Sequence, residues 1–358
     1  MKRILCLIES LGSGGAERQI TGLASMLKKQ GHHVEVWYYI KKEFYLPYLL
    51  ENGVKGKFIN DAINPRKRFF ILHKHISSFN PDTVISYSAS TSMITCIMKM
   101  LGARFNLIVS ERNTTQTLSF REKQKFFLYR WANYIVPNSF SQGSFINSNF
   151  PKLTPKVNVI TNFVDMEKFS PVTHPCEHKG DRLQFVCVGR MMAQKNILDF
   201  IRSISKLVRS GYNLQVDWYG QDLNDTYSKQ CHRLILENNL KDIFVFHSPS
   251  SKIQDVYRNS DVFCLPSLYE GFPNVLCEAM SCGKPVLCSR VCDNPNIVKE
   301  GTNGLLFNPL SVNDIASTIE KYLLLPNQKK NAMGENSRKI ALELFSKDAF
   351  LIKYGEII

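Results

Sequence analysis

Short apolar runs alternate with helix-like stretches along this chain, and that alternation restricts the fold more than any other feature. "RILCLIE" leads through a Gly-rich turn into the amphipathic "AERQITGLASMLKKQG", which Gly31 ends as a C-cap would, and "HHVEVWYYI" is the next strand-like run. "PDTVISYS", "FNLIVSE" and "NYIVPNS" follow, each apolar and then polar. The pattern restarts at "LQFVCVGR" and continues through "NILDFIRSISKLVRSG", "NLQVDWYGQ", "DIFVFH", "DVFCLPS" and "KPVLCS". Such alternation predicts parallel sheets with helices on both faces, where ligands sit off the carboxyl ends of the strands. The expected fold is α/β: two doubly wound domains with a cleft between them. A length of 358 residues suits two domains of roughly 100–200 residues each. "TNFVDMEKFSPVTHPCEHKGDRLQ", with two prolines, several charges and no apolar periodicity, is the linker candidate.

Apolar residues at 44% and charged residues at 21% are ordinary globular composition. The formal charge of +14 is unevenly placed. Residues 1–175 carry 23 Lys and Arg against 11 Asp and Glu, and residues 176–358 carry 22 against 20. The first half is therefore expected to face something anionic: nucleic acid, a membrane surface or a phosphorylated substrate. None of the ten cysteines forms a Cys-x-x-Cys pair and most lie in apolar runs, which reads as buried reduced thiols of a cytosolic protein. The N-terminal apolar run is too short for a signal-peptide core and meets Glu9. No stretch approaches the roughly 18 apolar residues of a spanning helix, so the expectation is a soluble or peripheral protein.

Three stretches carry candidate chemistry. In "SLGSGGAERQ", Gly12, Gly14 and Gly15 lie between strand and helix, where backbone can approach a phosphate or simply make a tight turn. In "GRMMAQKN", Arg190 and Lys195 stand five apart across a strand-to-helix turn, either reaching one diphosphate or lying solvated on the surface. "PSLYEGFPNVLCEAMSCGKPVLCS" places Glu270 at a strand's carboxyl end, with Pro273 expected at the first helical position and Gly283 closing the helix. Glu278 then lies about 7 Å deeper along that helix at 1.5 Å per residue. The helix start offers free N–H groups and partial positive charge to an anion. One arrangement uses all of this: phosphate at the helix mouth, Glu278 on ribose hydroxyls and Glu270 near a sugar. The plain alternative is a capped helix with two surface acids.

"SLGSGGAERQ", "VITNFVDMEKFSP", "VGRMMAQKN" and "LYEGFPNVLCEAMSCGKPVLCS", in this order and spacing, resemble the retaining family-four glycosyltransferases, which have two Rossmann-like domains facing across a cleft (the GT-B architecture). Glu270 and Glu278 match that family's E-x7-E signature. The resemblance spans nearly the whole chain. It implies an N-terminal acceptor-binding domain over residues 1–170, rejoined by a C-terminal helix at about 340–358, and a nucleotide-sugar domain over 171–339. It places Arg190 and Lys195 on the diphosphate of a UDP-sugar, Glu278 on the ribose, and Glu270 with Gly271, Phe272, Pro273 and Asn274 on sugar and phosphates. Val275 and Gly220 belong to the same donor set, and Gly14 and Gly15 would close over the phosphates from the other domain. The implied mechanism is a front-face, retaining transfer in which fixed cations stabilise the leaving diphosphate. No cofactor and no metal are required, and the sequence shows no convincing DxD clamp.

The chain departs from many relatives in one segment. Where they carry a histidine, "NLIVSERNTTQ" has Glu111, Arg112 and Asn113, as in a bacterial polysaccharide and glycan-assembly subgroup. Glu111 and Arg112 are the candidates to replace it, or they pair with each other. "INPRKRFFILHKHI" and "SFREKQKFFLYRWANYIV" mix cations with aromatics, which suits an anionic membrane surface or a helix with an aromatic core and solvated charges. A lipid-linked saccharide acceptor and peripheral attachment to the inner face of the cytoplasmic membrane follow as expectations. The rivals are a sugar-nucleotide epimerase of the same architecture, a non-catalytic sugar-binding relative and a nucleic-acid-binding protein. Zinc-finger spacing, an RNP-like segment and a basic tail are all missing, so no nucleic-acid partner is expected.

Overall fold

The computed structural model describes residues 1–112, 115, 117–172 and 182–358. Asn113 of the Ser-Glu-Arg-Asn segment and Cys176 lie outside the described residues. The chain divides into two compact units, Met1–Phe163 with Asp348–Ile358, and Val164–Lys347.

The first unit is built on β1 (Arg3–Leu7), β2 (His33–Tyr38), β3 (Lys55–Phe58), β4 (Thr83–Ser86), β5 (Asn106–Glu111) and β6 (Tyr134–Pro137), in the order β3-β2-β1-β4-β5-β6. The second is built on β7 (Leu183–Val188), β8 (Leu214–Tyr219), β9 (Phe244–His247), β10 (Val262–Leu265), β11 (Val286–Ser289) and β12 (Gly304–Phe307), in the order β12-β11-β10-β7-β8-β9. All pairs are parallel, for example Ile4 opposite Thr83 and Val262 opposite Phe185. Each sheet has a separate apolar core on each face, as strands rich in Val, Ile, Leu and Cys on both faces require. Both are therefore doubly wound, Rossmann-like sheets. Their strand order reverses between β1 and β4 and between β7 and β10, and a ligand crevice opens at such a reversal.

β3 escaped the sequence pattern. "KGKF" carries two lysines and a glycine, and it is a strand because Glu35 to Tyr38 of β2 pair with it in register. It is an edge strand, where exposed lysines discourage further pairing.

The linker candidate is not loose at its start. Phe163, Val164 and Phe169 are buried despite the absent periodicity. The Gln19 side chain donates to the Phe163 carbonyl and accepts from its N–H, both at 2.9 Å. The Phe163 ring fills the space a Cβ on Gly22 would need, 2.3 Å from its Cζ, and packs 5.1 Å from Phe350 in the returning segment. Burying two such rings stabilises the first unit by roughly 2–3 kcal/mol each. The first unit thus closes at Phe163 rather than at 170. Its last segment begins at Asp348 rather than near 340, because residues up to Phe345 pack with the second core, where the Phe345 carbonyl accepts from Val164 N–H at 2.8 Å.

The nine described cysteines are all free, and only Cys292 is not buried. Among the described residues no helix is long and apolar enough to cross a membrane.

Candidate functional site

In the second unit the strand-order reversal brings two loops together. One follows β7 and carries Arg190 and Lys195; the other follows β10 and carries Glu270. They are stitched by the Leu268 N–H donating to the Gln194 carbonyl at 2.8 Å and the Gln194 side chain donating to the Tyr269 carbonyl at 2.7 Å. Across this seam Lys195 Nζ donates to Glu270 Oε1 at 2.6 Å, with both side chains about nine-tenths buried. An ammonium keeps two further N–H donors when one is taken by a carboxylate. Arg190 is exposed and makes no ion pair among the described residues.

Glu270 opens the turn into the helix Asn274–Ser281. Pro273 is the N-cap of that helix, one position before the first helical residue where the sequence placed it. Proline fits there as well, because the N-cap N–H is not part of the helix ladder. The N–H groups of Gly271, Phe272 and Val275 have no hydrogen-bond partner among the described residues, so the helix mouth presents unsatisfied donors as well as the dipole's positive end. Phe272 anchors the turn by packing edge-on to Phe345 at 5.7 Å. Glu278 is the fifth residue of the helix, buried, and accepts from the Tyr257 hydroxyl at 3.4 Å. Gly283 follows the helix with φ 72°, the left-handed ending a glycine permits. The two acids therefore bracket a helix start as expected, but neither is a surface acid.

Gly220 has a packing role. A Cβ there would lie 1.9 Å from the Gly189 carbonyl oxygen, so the β7 and β8 loop starts can touch only if this residue is glycine. The same oxygen accepts from Trp218 Nε1 at 2.7 Å, which fixes the root of the Arg190 loop.

Sequence reasoning missed three contributors. Tyr257 holds Glu278 and Trp218 holds Gly189; both are core aromatics whose polar atoms leave no trace in a periodicity. The third is Cys292, whose Sγ lies 3.5 Å from the Glu270 N–H and accepts from it. Its backbone is left-handed at φ 49°, unusual for a residue with a side chain. Burial raises its thiol pKa, which keeps it protonated beside the ion pair.

The other predicted residues belong to the first unit. Gly14 is the N-cap and Gly15 the first residue of the helix Gly15–Lys29, directly after β1. Glu111 ends β5 and Arg112 follows it, and the two do not pair with each other. Glu111 is buried, with Oε2 accepting from Lys125 Nζ at 2.7 Å and Oε1 from the Tyr129 hydroxyl. Burial first, and the Glu111 carboxylate second, push the Tyr129 phenol well above its ordinary pKa, so it remains a donor. Lys125 also meets Glu122 at 2.6 Å. Arg112 instead reaches Asn162 Oδ1 at 2.7 Å, Tyr354 Oη at 2.9 Å and the Tyr87 hydroxyl, with its guanidinium 4.2 Å from the Tyr87 ring centre.

The basic–aromatic stretches are split. In the helix Phe120–Leu128 and the turn after it, Phe126 and Tyr129 are core, while Phe120 and Phe127 are exposed. Arg130 stacks on Phe127 at 3.8 Å. Phe70, in the helix Arg68–Phe79, is 71% exposed. Of the eight Phe, Tyr and Trp rings in these stretches, two are buried, three are exposed, and Phe69, Trp131 and Tyr134 are half-buried.

Comparison with known proteins bears on the same segments. The family model for "Glycosyl transferases group 1" matches residues 174–340. The UDP-Gal:alpha-D-GlcNAc-diphosphoundecaprenol alpha-1,3-galactosyltransferase of Escherichia coli is 26% identical, covering 83% of this chain and 78% of that protein. The GalNAc-alpha-(1->4)-GalNAc-alpha-(1->3)-diNAcBac-PP-undecaprenol alpha-1,4-N-acetyl-D-galactosaminyltransferase of Campylobacter jejuni is 26% identical over 95% of this chain and 94% of its own. Among solved structures, Anabaena Alr3699/HepE in complex with UDP superposes with a TM-score of 0.86 at 18% identity, covering 99% of this chain and 98% of that one.

Proposed function

We propose, from its match to the group 1 glycosyl transferases and its GT-B fold, that this chain is a glycosyltransferase of bacterial polysaccharide or lipid-linked glycan assembly with a more specific reaction. It moves a hexose or N-acetylhexosamine from a UDP-sugar to a polyprenyl-diphosphate-linked saccharide, with retention of configuration and without a metal ion or cofactor. The observation that carries this reading is the seam at the second strand-order reversal. There Lys195 is paired to Glu270, Arg190 lies on the same loop with no ion pair among the described residues, and the helix mouth offers unsatisfied N–H donors.

The chemistry follows from the charge that develops. As the glycosidic bond to the diphosphate breaks, negative charge grows on the leaving oxygens. The two remaining N–H donors of Lys195 and the N–H groups of Gly271, Phe272 and Val275 are fixed before the reaction begins, and Arg190 adds an exposed cation on the same loop. Preorganised donors of this kind stabilise the transition state without reorganising at the moment of reaction. Glu278 takes the ribose hydroxyls, and Glu270 lies where the sugar leaves. The departing diphosphate accepts the proton of the attacking acceptor hydroxyl, which joins on the face the diphosphate vacates.

Thermal shift tests the donor reading. UDP or a UDP-sugar should raise the melting temperature by mass action, corresponding to about 2.7 kcal/mol at a hundred times the dissociation constant. The rise should vanish in Glu278→Ala. Equal shifts in both proteins would remove Glu278 from the nucleotide.

We also place the enzyme on the inner face of the cytoplasmic membrane, held peripherally through the exposed Phe70, Phe120 and Phe127 among their lysines and arginines. A ring buried at the interface and a cation beside an anionic leaflet each add to binding, the latter by about 1 kcal/mol per charge near the surface. Vesicles with phosphatidylglycerol should pellet the protein at low salt, and Phe120→Ser with Phe127→Ser should release it. Equal pelleting on neutral vesicles at high salt would count against this attachment.

A further inference from the structure

A cavity of about 470 Å³ lies wholly within the second unit and shares no residue with the seam of Lys195 and Glu270. Its walls come from the exposed side of the helix Ile197–Arg209, from Asn238 after the helix Thr226–Glu237, and from the start of the helix Val312–Leu323. Arg202, Lys206 and Arg209 recur there at the four- and three-residue spacing that puts side chains on one helix face. No Asp or Glu lines the cavity. A solvated helix face gains stability from interleaved opposite charges and loses it from like charges four apart. Three cations in succession therefore repel one another in the free protein, and an anion between them would relieve that repulsion.

Two of the three cations are held in place without being neutralised. Lys206 Nζ donates to Asn313 Oδ1, and Arg209 Nη2 donates to Asn238 Oδ1 at 3.0 Å. Both partners are neutral amides, and neither cation has a carboxylate partner among the described residues. The buried Ser205 hydroxyl donates to the same Asn238 oxygen at 2.8 Å. Arg202 is paired to Asp199 at 2.6 Å through one of its five N–H donors and keeps the rest. Ser203 Oγ donates to the Val312 carbonyl at 3.2 Å, which ties the two helices together. The N–H groups of Val312 and Asn313, both residues of the wall, have no partner among the described residues. Asp314, the acid of that first turn, is not in the wall and accepts from the Asn308 N–H at 2.6 Å.

We infer that this cavity binds a phosphate group, carried by a soluble molecule or by a lipid headgroup, as an anion site distinct from the donor seam. A phosphate supplies only acceptors, which is what a wall of cations and free N–H groups requires. A guanidinium can take two of its oxygens at once, and charge-assisted bonds of this kind are stronger than those between neutral groups. The volume falls within the range of small-molecule sites, roughly 300–1,000 Å³.

Inorganic tripolyphosphate is titrated calorimetrically into the full chain at about 0.15 M salt, where distant surface charges are screened. The same titration is run on two cavity variants. One is Lys206→Gln with Arg209→Gln; the other is Asn313→Asp, which puts a carboxylate beside Lys206. The control, Lys321→Gln with Lys329→Gln, removes the same charge from lysines outside the cavity. All these positions are exposed, so the melting temperatures should stay at the wild-type value. The wild type should show a binding event that Arg190→Met and the control leave unchanged, and that both cavity variants weaken about tenfold or more. The absence of any such event, or equal weakening in the control, would overturn the site. Vesicles of phosphatidylcholine with phosphatidic acid then distinguish the sources. Pelleting that falls in the Lys206→Gln, Arg209→Gln protein but not in the control assigns a lipid headgroup, and equal pelleting assigns a soluble phosphate. Because tripolyphosphate carries no nucleoside, a chain that ignores UDP yet binds it in this cavity would sink the donor reading and leave the site standing.

Discussion

Lys195→Met should lower turnover by roughly a hundred- to a thousandfold, the cost of deleting one preorganised donor at a developing oxyanion. Methionine keeps the length and flexibility of the stem while removing the charge. The substitution should also destabilise the fold by about 3 kcal/mol, because Glu270 stays about nine-tenths buried with its cation gone. These two losses have different origins, and a second substitution separates them. Lys195→Met with Glu270→Leu removes the stranded carboxylate, so the denaturation midpoint should recover most of what the single variant lost. Turnover should not recover. Urea denaturation and single-turnover transfer, measured on the two single variants and the double, complete the cycle. Activity returning together with stability would mean that the pair only holds the two loops together. Arg190→Met offers the matching control: it is exposed and outside any ion pair among the described residues, so it should lose turnover with almost no loss of stability.

The cycle also explains why part of this site was legible in the sequence and part was not. Apolar runs placed ten of the twelve strands, all but β3 and β12, because buried parallel strands read as continuous hydrophobic stretches. β3 was missed because its strand character comes from its neighbour and not from "KGKF" itself. Glu270 and Glu278 stood out because two acids around a helix start are rare in a basic chain. Their burial could not be read: each depends on partners far away in sequence, Lys195 across 75 residues and Tyr257 across 21. The alternative that Glu111 and Arg112 pair with each other rested on their adjacency. They diverge because Lys125 and Tyr129 draw one to the helix after β5, while Tyr87, Asn162 and Tyr354 draw the other to the chain crossings. Adjacency along a strand says nothing about which partners a side chain meets.

Glycines show the same limit, and they supply the second large effect. The resemblance puts both Gly14 and Gly220 near the donor, from different domains, but the two differ in what a methyl group would meet. At Gly14 a Cβ would lie 2.3 Å from Glu17 Oε2, the far end of a flexible side chain that can swing away. At Gly220 it would lie 1.9 Å from the Gly189 oxygen and 2.5 Å from its carbonyl carbon, both backbone. That backbone cannot retreat. Trp218 Nε1 holds the Gly189 carbonyl at 2.7 Å, Gly189 N–H donates to Tyr219 at 2.9 Å, and Gly220 N–H donates to His247 at 3.0 Å. Gly220→Ala must therefore part β7 from β8 at their carboxyl ends, at a cost of about 3 kcal/mol or more, the upper range for overpacking. Because Arg190 leaves β7 from this point, whatever folds should also lose its UDP-induced thermal shift. Gly14→Ala should keep wild-type stability, so any fall in its activity would report on the ligand alone. Urea midpoints and UDP shifts on both variants decide the matter. A Gly220→Ala protein as stable as the wild type would show that the strand ends can separate freely, and the seam could not then be the rigid donor array on which the transfer mechanism depends.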